Sequence, residues 1–356
     1  MKQGLCWALT VSCLLLSGCG SLPYSREMGD MALLRTMGVD LLEEEVRVTV
    51  STGPRVRGLQ GEQQPSLVLS AQGASLSGAA LELQGMSGGY VFFGYVDQLL
   101  LGEELARQGV EPVLDYFARD VELGLGAQLW LVQGASAEEA VRSGGEQGVE
   151  GRLSTLRTDG EMGIAAITRT AGEVLSDLME WGSAYVPALV CAEEEGAASL
   201  RESGYAVLKE GRLAGFLEGE AAAGLELLTG RTSSDVLEVL ASGELVAVRV
   251  TGVDTSCRME EGKLRIICQI QARAAEYQTP LEEAELNELS LQLEQRERDR
   301  IQAALSQMQA WGADCTGVGP RAALASPGQW QAGEETWPEQ FASQPLELEV
   351  RVTIQG

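Results

Sequence analysis

Between Leu5 and Leu16 the chain is almost continuously apolar, and no later stretch repeats that pattern. Only Thr10 and Ser12 interrupt it. The run is shorter than the roughly 20 apolar residues a membrane-spanning helix needs. No later stretch approaches even 18 such residues, so the rest of the chain must fold in water around a core of its own. With 45% apolar residues there is enough material for that core, and global disorder is excluded.

What surrounds the apolar run gives it a role. Lys2 is the only charged side chain before Arg26, and the run closes on Leu16-Ser17-Gly18-Cys19. A positive start, a short apolar stretch and small residues before a cut site make an export signal. The cysteine completes a lipoprotein box, in which the thiol is alkylated with diacylglycerol and the chain is cut before it. Residues 1–18 are therefore expected to be a signal peptide, and acylated Cys19 to anchor the mature chain in a lipid bilayer. Each buried acyl methylene contributes about 0.8 kcal/mol, so a multiply acylated cysteine holds firmly.

The formal net charge is -26, and it becomes one unit more negative when Lys2 leaves with the signal. Such a field repels nucleic acid and anionic headgroups and favours a basic neighbour. Glycine is abundant, at 43 residues, but without a period, which reads as many turns. Of seven cysteines, Cys6 and Cys13 fall in the signal and Cys19 takes the lipid. Cys191, Cys257, Cys268 and Cys315 remain. Export permits disulfides, and four cysteines can pair in three ways. Cys257 and Cys268 flank a hairpin pattern and make the best pair; free buried thiols are the alternative.

Periodicity predicts strands alternating with helices, an α+β class with mixed or antiparallel sheets. Val46, Val48 and Val50 alternate over Glu45–Ser51 as a strand, and 53–65 reads as an exposed loop. A helix is expected from Ser75 to Gln84, capped by Ser75 or Ser77. Tyr90–Gly94 reads as a buried strand, and Asp97–Gln108 as a helix ended by Gly109. Pro112 opens another helix that runs through Tyr116, Phe117 and Val121. Gln128–Gln133 is a strand, Ala137–Arg142 a short helix, and 144–163 a Gly-rich polar stretch. Tyr185–Cys191 is a strand whose Pro187 suggests a sheet edge.

Those elements make an N-terminal domain over 19–190, followed by a C-terminal domain over 191–356. The latter opens with a hairpin, Tyr205–Lys209 and Leu213–Leu217, turning at Glu210-Gly211. Tyr205, Val207, Leu213, Phe216 and Leu217 are expected in the C-terminal core, with Gly215 allowing close backbone approach. Gly219–Leu228 is helical. Leu245–Val253 and Leu264–Ala272 are strands joined by the polar segment 254–262. The longest helix runs over about 281–312, with Leu286, Leu289, Leu293, Ile301, Leu305 and Met308 on one face. Interleaved Arg296, Arg298, Arg300 and Glu294, Glu297, Asp299 read as its solvated face. A strand from Leu346 to Ile354 closes the chain.

The chemistry missing from the sequence is informative. With no histidine, Ser-His-acid and Cys-His arrangements and most zinc sites are excluded. There is no phosphate-loop motif, and the only lysines are 2, 209 and 263. Gly85-Met86-Ser87-Gly88-Gly89 fits neither nucleotide fingerprint. Asp254, Glu260 and Glu261 do not match a calcium loop. No residue stands out as catalytic, as a metal ligand or as holding a cofactor.

In order along the chain stand Glu27-Met28-Gly29-Asp30, Gly38-Val39-Asp40, Phe92-Phe93-Gly94-Tyr95, Gly102-Glu103-Glu104-Leu105 and Leu114-Asp115-Tyr116-Phe117. Later come Gly204-Tyr205-Ala206-Val207-Leu208-Lys209, Leu213-Ala214-Gly215-Phe216-Leu217 and Trp311-Gly312-Ala313-Asp314-Cys315-Thr316-Gly317-Val318-Gly319, then Trp330, Trp337 and Phe341. In this order and spacing the chain resembles the spore germination protein C subunit family, the Ger(x)C lipoproteins of nutrient germinant receptors. Gly20-Ser21 stand where the family often has a tryptophan and an acidic residue, and Val318 replaces a more usual aromatic. The resemblance implies a non-enzymatic receptor subunit at the outer face of the spore inner membrane. It also implies assembly with a multi-helix membrane A subunit and a transporter-like B subunit. The contrasting expectation is a lipid-anchored solute-binding or envelope adhesion module.

Overall fold

A computed structural model of the protein describes residues 31–355, apart from 58–61, 88, 195, 232–235, 242–243, 278–280 and 331–335. The export signal, Cys19 and the Glu27-Met28-Gly29-Asp30 motif lie outside the described residues.

The first third holds β1 (Met31–Leu33), β2 (Thr36–Leu42), β3 (Glu45–Ser51), β4 (Arg55–Arg57), β5 (Glu62–Gln64), β6 (Val68–Gly73), α1 (Leu76–Met86), β7 (Tyr90–Phe92), β8 (Gln98–Gly102), α2 (Glu103–Gln108) and α3 (Glu111–Arg119). Next come β9 (Gln128–Val132), α4 (Ala137–Arg142), α5 (Glu150–Glu161), β10 (Arg169–Thr170), α6 (Ala171–Trp181), β11 (Ser183–Glu194), β12 (Ala197–Lys209), β13 (Arg212–Leu217) and α7 (Gly219–Leu228). The last part is β14 (Val236–Ala241), β15 (Glu244–Glu260), β16 (Lys263–Glu276), α8 (Glu283–Trp311), α9 (Val318–Ala325), α10 (Trp337–Phe341) and β17 (Leu346–Gln355). The fold is α+β.

The large sheet runs β13-β12-β11-β9-β8-β2-β3-β6, with β10 paired to β9. Its centre is parallel: β2 with β8, β8 with β9, and β9 with β11. Antiparallel hairpins flank that centre on both sides. Successive side chains point to opposite faces, and both faces are covered here. Leu99, Leu101, Leu129 and Leu131 pack with α1, α2, α3 and α6. Leu100, Trp130 and Val132 pack on the other side with α4 and α5.

This double burial explains the main departures from periodicity. Gln98–Gly102 is buried at every position and so shows no alternation; it is a strand, and the helix expected over 97–108 starts only at Glu103. Trp130 Nε1 donates to Gln98 Oε1 at 2.8 Å, giving that buried amide a partner. The helix after Pro112 stops at Arg119, and Val121 is fully outside the core. The Gly-rich stretch 144–163 contains α5, whose Leu153 and Leu156 are buried. The 53–65 loop contains the short pair β4–β5.

Pro187 does not mark an edge. β11 lies between β12 and β9, and its ladder with β9 consists of Ala188 and Leu189, just past the proline. The position 190/191 therefore falls inside β11, and β12 and β13 extend the same sheet. The β12–β13 hairpin is a shared wall: Tyr205, Val207 and Leu217 face one core, and Ala206 and Leu208 the other. Leu213 and Phe216 are half-buried against the N-terminal core, not in the C-terminal one as expected. Glu210 and Gly211 both have positive φ, 48° and 71°, which a tight two-residue hairpin turn requires.

The second sheet has the order β14-β15-β16-β17, with β17 parallel to β16. Glu261 and Gly262 repeat the Glu-Gly turn with φ of 50° and 78°. The polar segment 254–262 is thus mostly strand: β15 continues to Glu260. Helix α8 lies along this sheet through Leu289, Leu293, Ile301, Leu305 and Met308. It also guards the free edge of β17. Arg298 Nη1 donates to the Leu348 carbonyl at 2.8 Å, and Glu294 Oε1 accepts from the Val352 N–H at 3.0 Å. Capping exposed strand groups in this way prevents edge-to-edge pairing there.

Candidate functional site

Two acidic residues of the sequence motifs serve the scaffold. Buried Asp40 accepts from the Ala137 and Glu138 N–H groups at 2.7 and 2.8 Å, while Ser136 accepts from Glu139 N–H. Three otherwise unsatisfied donors at the start of α4 are thereby met. Gly38 and Gly102 make room: a Cβ on Gly102 would lie 2.1 Å from Asp40 Oδ1. Asp314, between α8 and α9, accepts from Val318 N–H, Gly319 N–H and Trp337 Nε1 at 2.9, 2.7 and 2.9 Å. Burial nonetheless holds both carboxyls above their ordinary value. Gly215 is where Trp311 lies against the hairpin, and a Cβ there would lie 2.3 Å from the indole. Lys209 Nζ donates to the Trp311 carbonyl at the C-terminus of α8.

The charged pattern on α8 is not wholly solvated. Glu297 continues the Leu293-to-Ile301 spacing onto the buried face, and Arg296 and Arg300 turn inward to it. Their bonds to Glu297 match a charge pair that is buried because it is satisfied.

The four described cysteines are free thiols. Cys257 lies opposite Ile266 and Cys268 opposite Thr255, so the expected pair shares a face but is offset along the hairpin. Burial pushes both thiols up to about 11, and pushes Cys315 higher still. A thiol held protonated is a poor nucleophile. Among the described residues no cluster of three or more Cys, Asp or Glu side chains is placed to hold a metal ion.

One concave site gathers chemistry from distant segments. A cleft of about 320 Å³ is lined by Arg169, Asp177, Trp181 and Tyr185 around α6, by Thr229 and Arg231 after α7, and by residues of the Cys315-to-Leu324 stretch. Asp177 and Trp181, one turn apart, face it together. Arg169 donates to Asp177 at 2.7 Å, and its guanidinium lies 4.5 Å over the Tyr185 ring. Tyr185 meets Tyr205 edge-on, ring centres 5.5 Å apart. Tyr205 in turn accepts from Ile167 N–H and donates to Glu226, each at 2.7 Å. A polar chain thus leads from the cleft into the wall between the cores. Sequence periodicity signals none of this: Arg169 opens the two-residue β10, Arg231 lies in a short connection, and Arg321 sits inside the short helix α9.

The chain matches two family domains. The spore germination protein N-terminal domain covers residues 24–190, and the spore germination B3/GerAC-like C-terminal domain covers residues 203–356. The chain belongs to the Ger(x)C spore germination family. Among solved structures, the crystal structure of the GerBC protein has a TM-score of 0.59 and 16% identity, over 90% of this chain and 97% of that chain. At that identity the likeness shows the fold. A comparison with curated proteins finds no match. For a Ger(x)C protein, the quoted motifs are thus largely architectural: Gly38, Asp40 and Gly102 seat α4, and Gly215, Trp311, Asp314 and Gly319 seat the end of α8 and α9. The cleft uses three motif residues, Cys315, Thr316 and Gly317, on its rim.

Proposed function

We propose that this chain is the lipoprotein C subunit of a spore nutrient germinant receptor. It is anchored through acylated Cys19 at the outer face of the spore inner membrane and acts by assembling with the membrane-embedded A and B subunits. The observation that carries the reading is the pair of spore germination domains, which together span nearly all of residues 24–356. Among the described residues no helix is long and apolar enough to cross a membrane, so membrane residence rests on the lipid, the partners or both. The sequence, with 52 acidic residues against 26 basic ones, carries no polybasic run for anionic lipid. In this reading the subunit supplies recognition surface, and the thiols in its core, held protonated by burial, are poor nucleophiles.

The test is recovery of intact A and B subunits with the tagged protein from spore membranes, together with mass spectrometry of the mature N-terminal peptide. The expected results are co-recovery of both subunits and a diacylglycerol-modified peptide beginning at Cys19. A protein that never co-purifies with them loses the receptor-subunit reading. An unmodified N-terminus elsewhere removes the anchor. Cys19→Ser should leave the precursor uncut or release it unlipidated, with the fold unchanged.

A further inference from the structure

The whole chain carries two acidic residues for each basic one, 52 against 26. The cleft beside α6 inverts that ratio, with three arginines and one lining carboxylate, Asp177. That carboxylate is engaged by Arg169. Neither of the other two guanidinium groups makes an ion pair among the described residues. Arg321 is held by carbonyls, its Nε on Gly317, Nη1 on Thr255 and Nη2 on Leu228. Carbonyl dipoles orient the group and leave its charge in place. Arg231 is exposed, and its side chain makes no ion pair among the described residues. Two further carboxylates lie near without lining the cleft. Glu173 is 4.0 Å from Arg169, and Asp314 points at its three N–H donors.

A second observation points into the same space. Thr316 lines the cleft, and its Oγ1 is shielded from solvent with no hydrogen-bond partner among the described residues. Shielded polar atoms are normally satisfied, so an orphan beside two cations that make no ion pair among the described residues marks room for a polar group. The remaining wall is apolar and aromatic: Trp181, Pro320 and Leu324, the last 83% exposed. At about 320 Å³ the cleft lies at the small end of known ligand sites, which combine an apolar wall with a few convergent polar groups.

We propose that this cleft binds a small organic carboxylate, with its anionic head on Arg231, Arg321 and Thr316 and its apolar body against Trp181, Pro320 and Leu324. The planar guanidinium fork suits a carboxylate. Arg169 and Asp177 form the floor as a neutral pair. The site belongs to the chain itself and does not depend on assembly with membrane partners, so its success or failure leaves the receptor-subunit reading to its own test.

Phenylacetate is a suitable probe, titrated into the full chain in detergent by calorimetry and ligand-observed NMR. Its neutral and cationic counterparts are 2-phenylethanol and phenethylamine, and inorganic phosphate tests the anion alone. Saturable phenylacetate binding is expected, at least about tenfold tighter than any of the three. Arg231→Gln should weaken it by about tenfold, and Leu324→Asp, at the exposed mouth, by a similar factor through like-charge repulsion. Both positions are exposed, so unchanged unfolding midpoints are expected to accompany the loss. Absence of saturable phenylacetate binding overturns the proposal. Equal binding by Arg231→Gln, or phenethylamine binding as well as phenylacetate, overturns it too. Phosphate matching phenylacetate removes the apolar half of the site.

Discussion

Asp314 and Trp337 are joined by a 2.9 Å hydrogen bond from the indole N–H to the buried carboxylate. Through that bond α10 is tied to the junction of α8 and α9, and the same carboxylate closes the first turn of α9. Trp337 packs in turn, with tilted rings, against Trp330 and Phe341 at centroid distances of 4.8 and 5.7 Å. Asp314→Ala strands three buried donors, and each costs about 1–3 kcal/mol. The expected loss is at least about 3 kcal/mol in urea unfolding, with Asp314→Asn losing less because one oxygen remains. A loss below about 1 kcal/mol for the alanine variant would show that water replaces the carboxylate.

Two helical glycines should respond to alanine with opposite signs. Gly85, near the end of α1, faces open space, so Gly85→Ala gains helix propensity and should stabilise by about 0.5–1 kcal/mol. Gly224, inside α7, faces α8, and a Cβ there would lie 2.0 Å from the Arg300 carbonyl oxygen. Backbone cannot move aside as a side chain does. Gly224→Ala should therefore destabilise by about 1–3 kcal/mol despite its propensity gain. Unfolding midpoints of the two variants, compared side by side, test the helix contact. A stabilised Gly224→Ala protein would mean that α7 and α8 are not so close.

How legible each region was in the sequence follows from how its burial is arranged. Glu45–Ser51 and Leu346–Ile354 alternate well enough to be read as strands, and the apolar spacing of α8 was also clear. Gln98–Gly102 was not legible, because a strand buried on both faces has no polar phase to show. Glu297 looks solvated in the sequence because charge alone cannot reveal that two neighbouring arginines satisfy it in the core. The Glu210-Gly211 turn was plain, yet the same dipeptide at 261–262 was hidden in a polar stretch that is mostly half-exposed strand. The cleft left no mark in the periodicity, although Cys315, Thr316 and Gly317 of a quoted motif line it. Its three arginines stand 62 and 90 positions apart, and only tertiary packing collects them.

The hairpin that separates the two cores gives a third pair of variants. Phe216 is half-buried, so Phe216→Ala should cost about 1–3 kcal/mol, below the value for a fully enclosed phenylalanine. Tyr205 is fully buried, and its hydroxyl bridges Ile167 N–H and Glu226. Tyr205→Phe removes one oxygen and leaves both partners without it, at an expected cost of about 2 kcal/mol. The same variant should loosen the 163–170 segment, seen as faster hydrogen exchange at Ile167 with little change in the distant β2–β3 pair. Uniform change across the chain would instead mean that the hydroxyl acts only on global stability.

Mild acid should stabilise this protein. Asp40, Asp177, Glu150, Glu202 and Asp314 are all held above their ordinary values, with burial the leading cause in each. Folding therefore favours their protonated forms. Their contribution is fully present below the ordinary carboxyl value, about 4, and is lost as pH rises through the raised one. Self-repulsion of a chain at net charge -26 also relaxes as carboxylates protonate, so the two effects add. A third effect runs the other way. Hydrogen bonds from Arg265 hold Glu260 and Glu349 below their ordinary values, and that contribution fades once pH falls through their folded values. Stability should thus rise as pH falls from 8 to about 5 and turn down in stronger acid. Urea midpoints measured across that range, at constant ionic strength, decide it. A midpoint that climbs steadily from pH 5 to pH 8 would mean that the N–H donors around Asp40 and Asp314, and Arg169 beside Asp177, hold these carboxylates ionised in the native state despite the cost of burial.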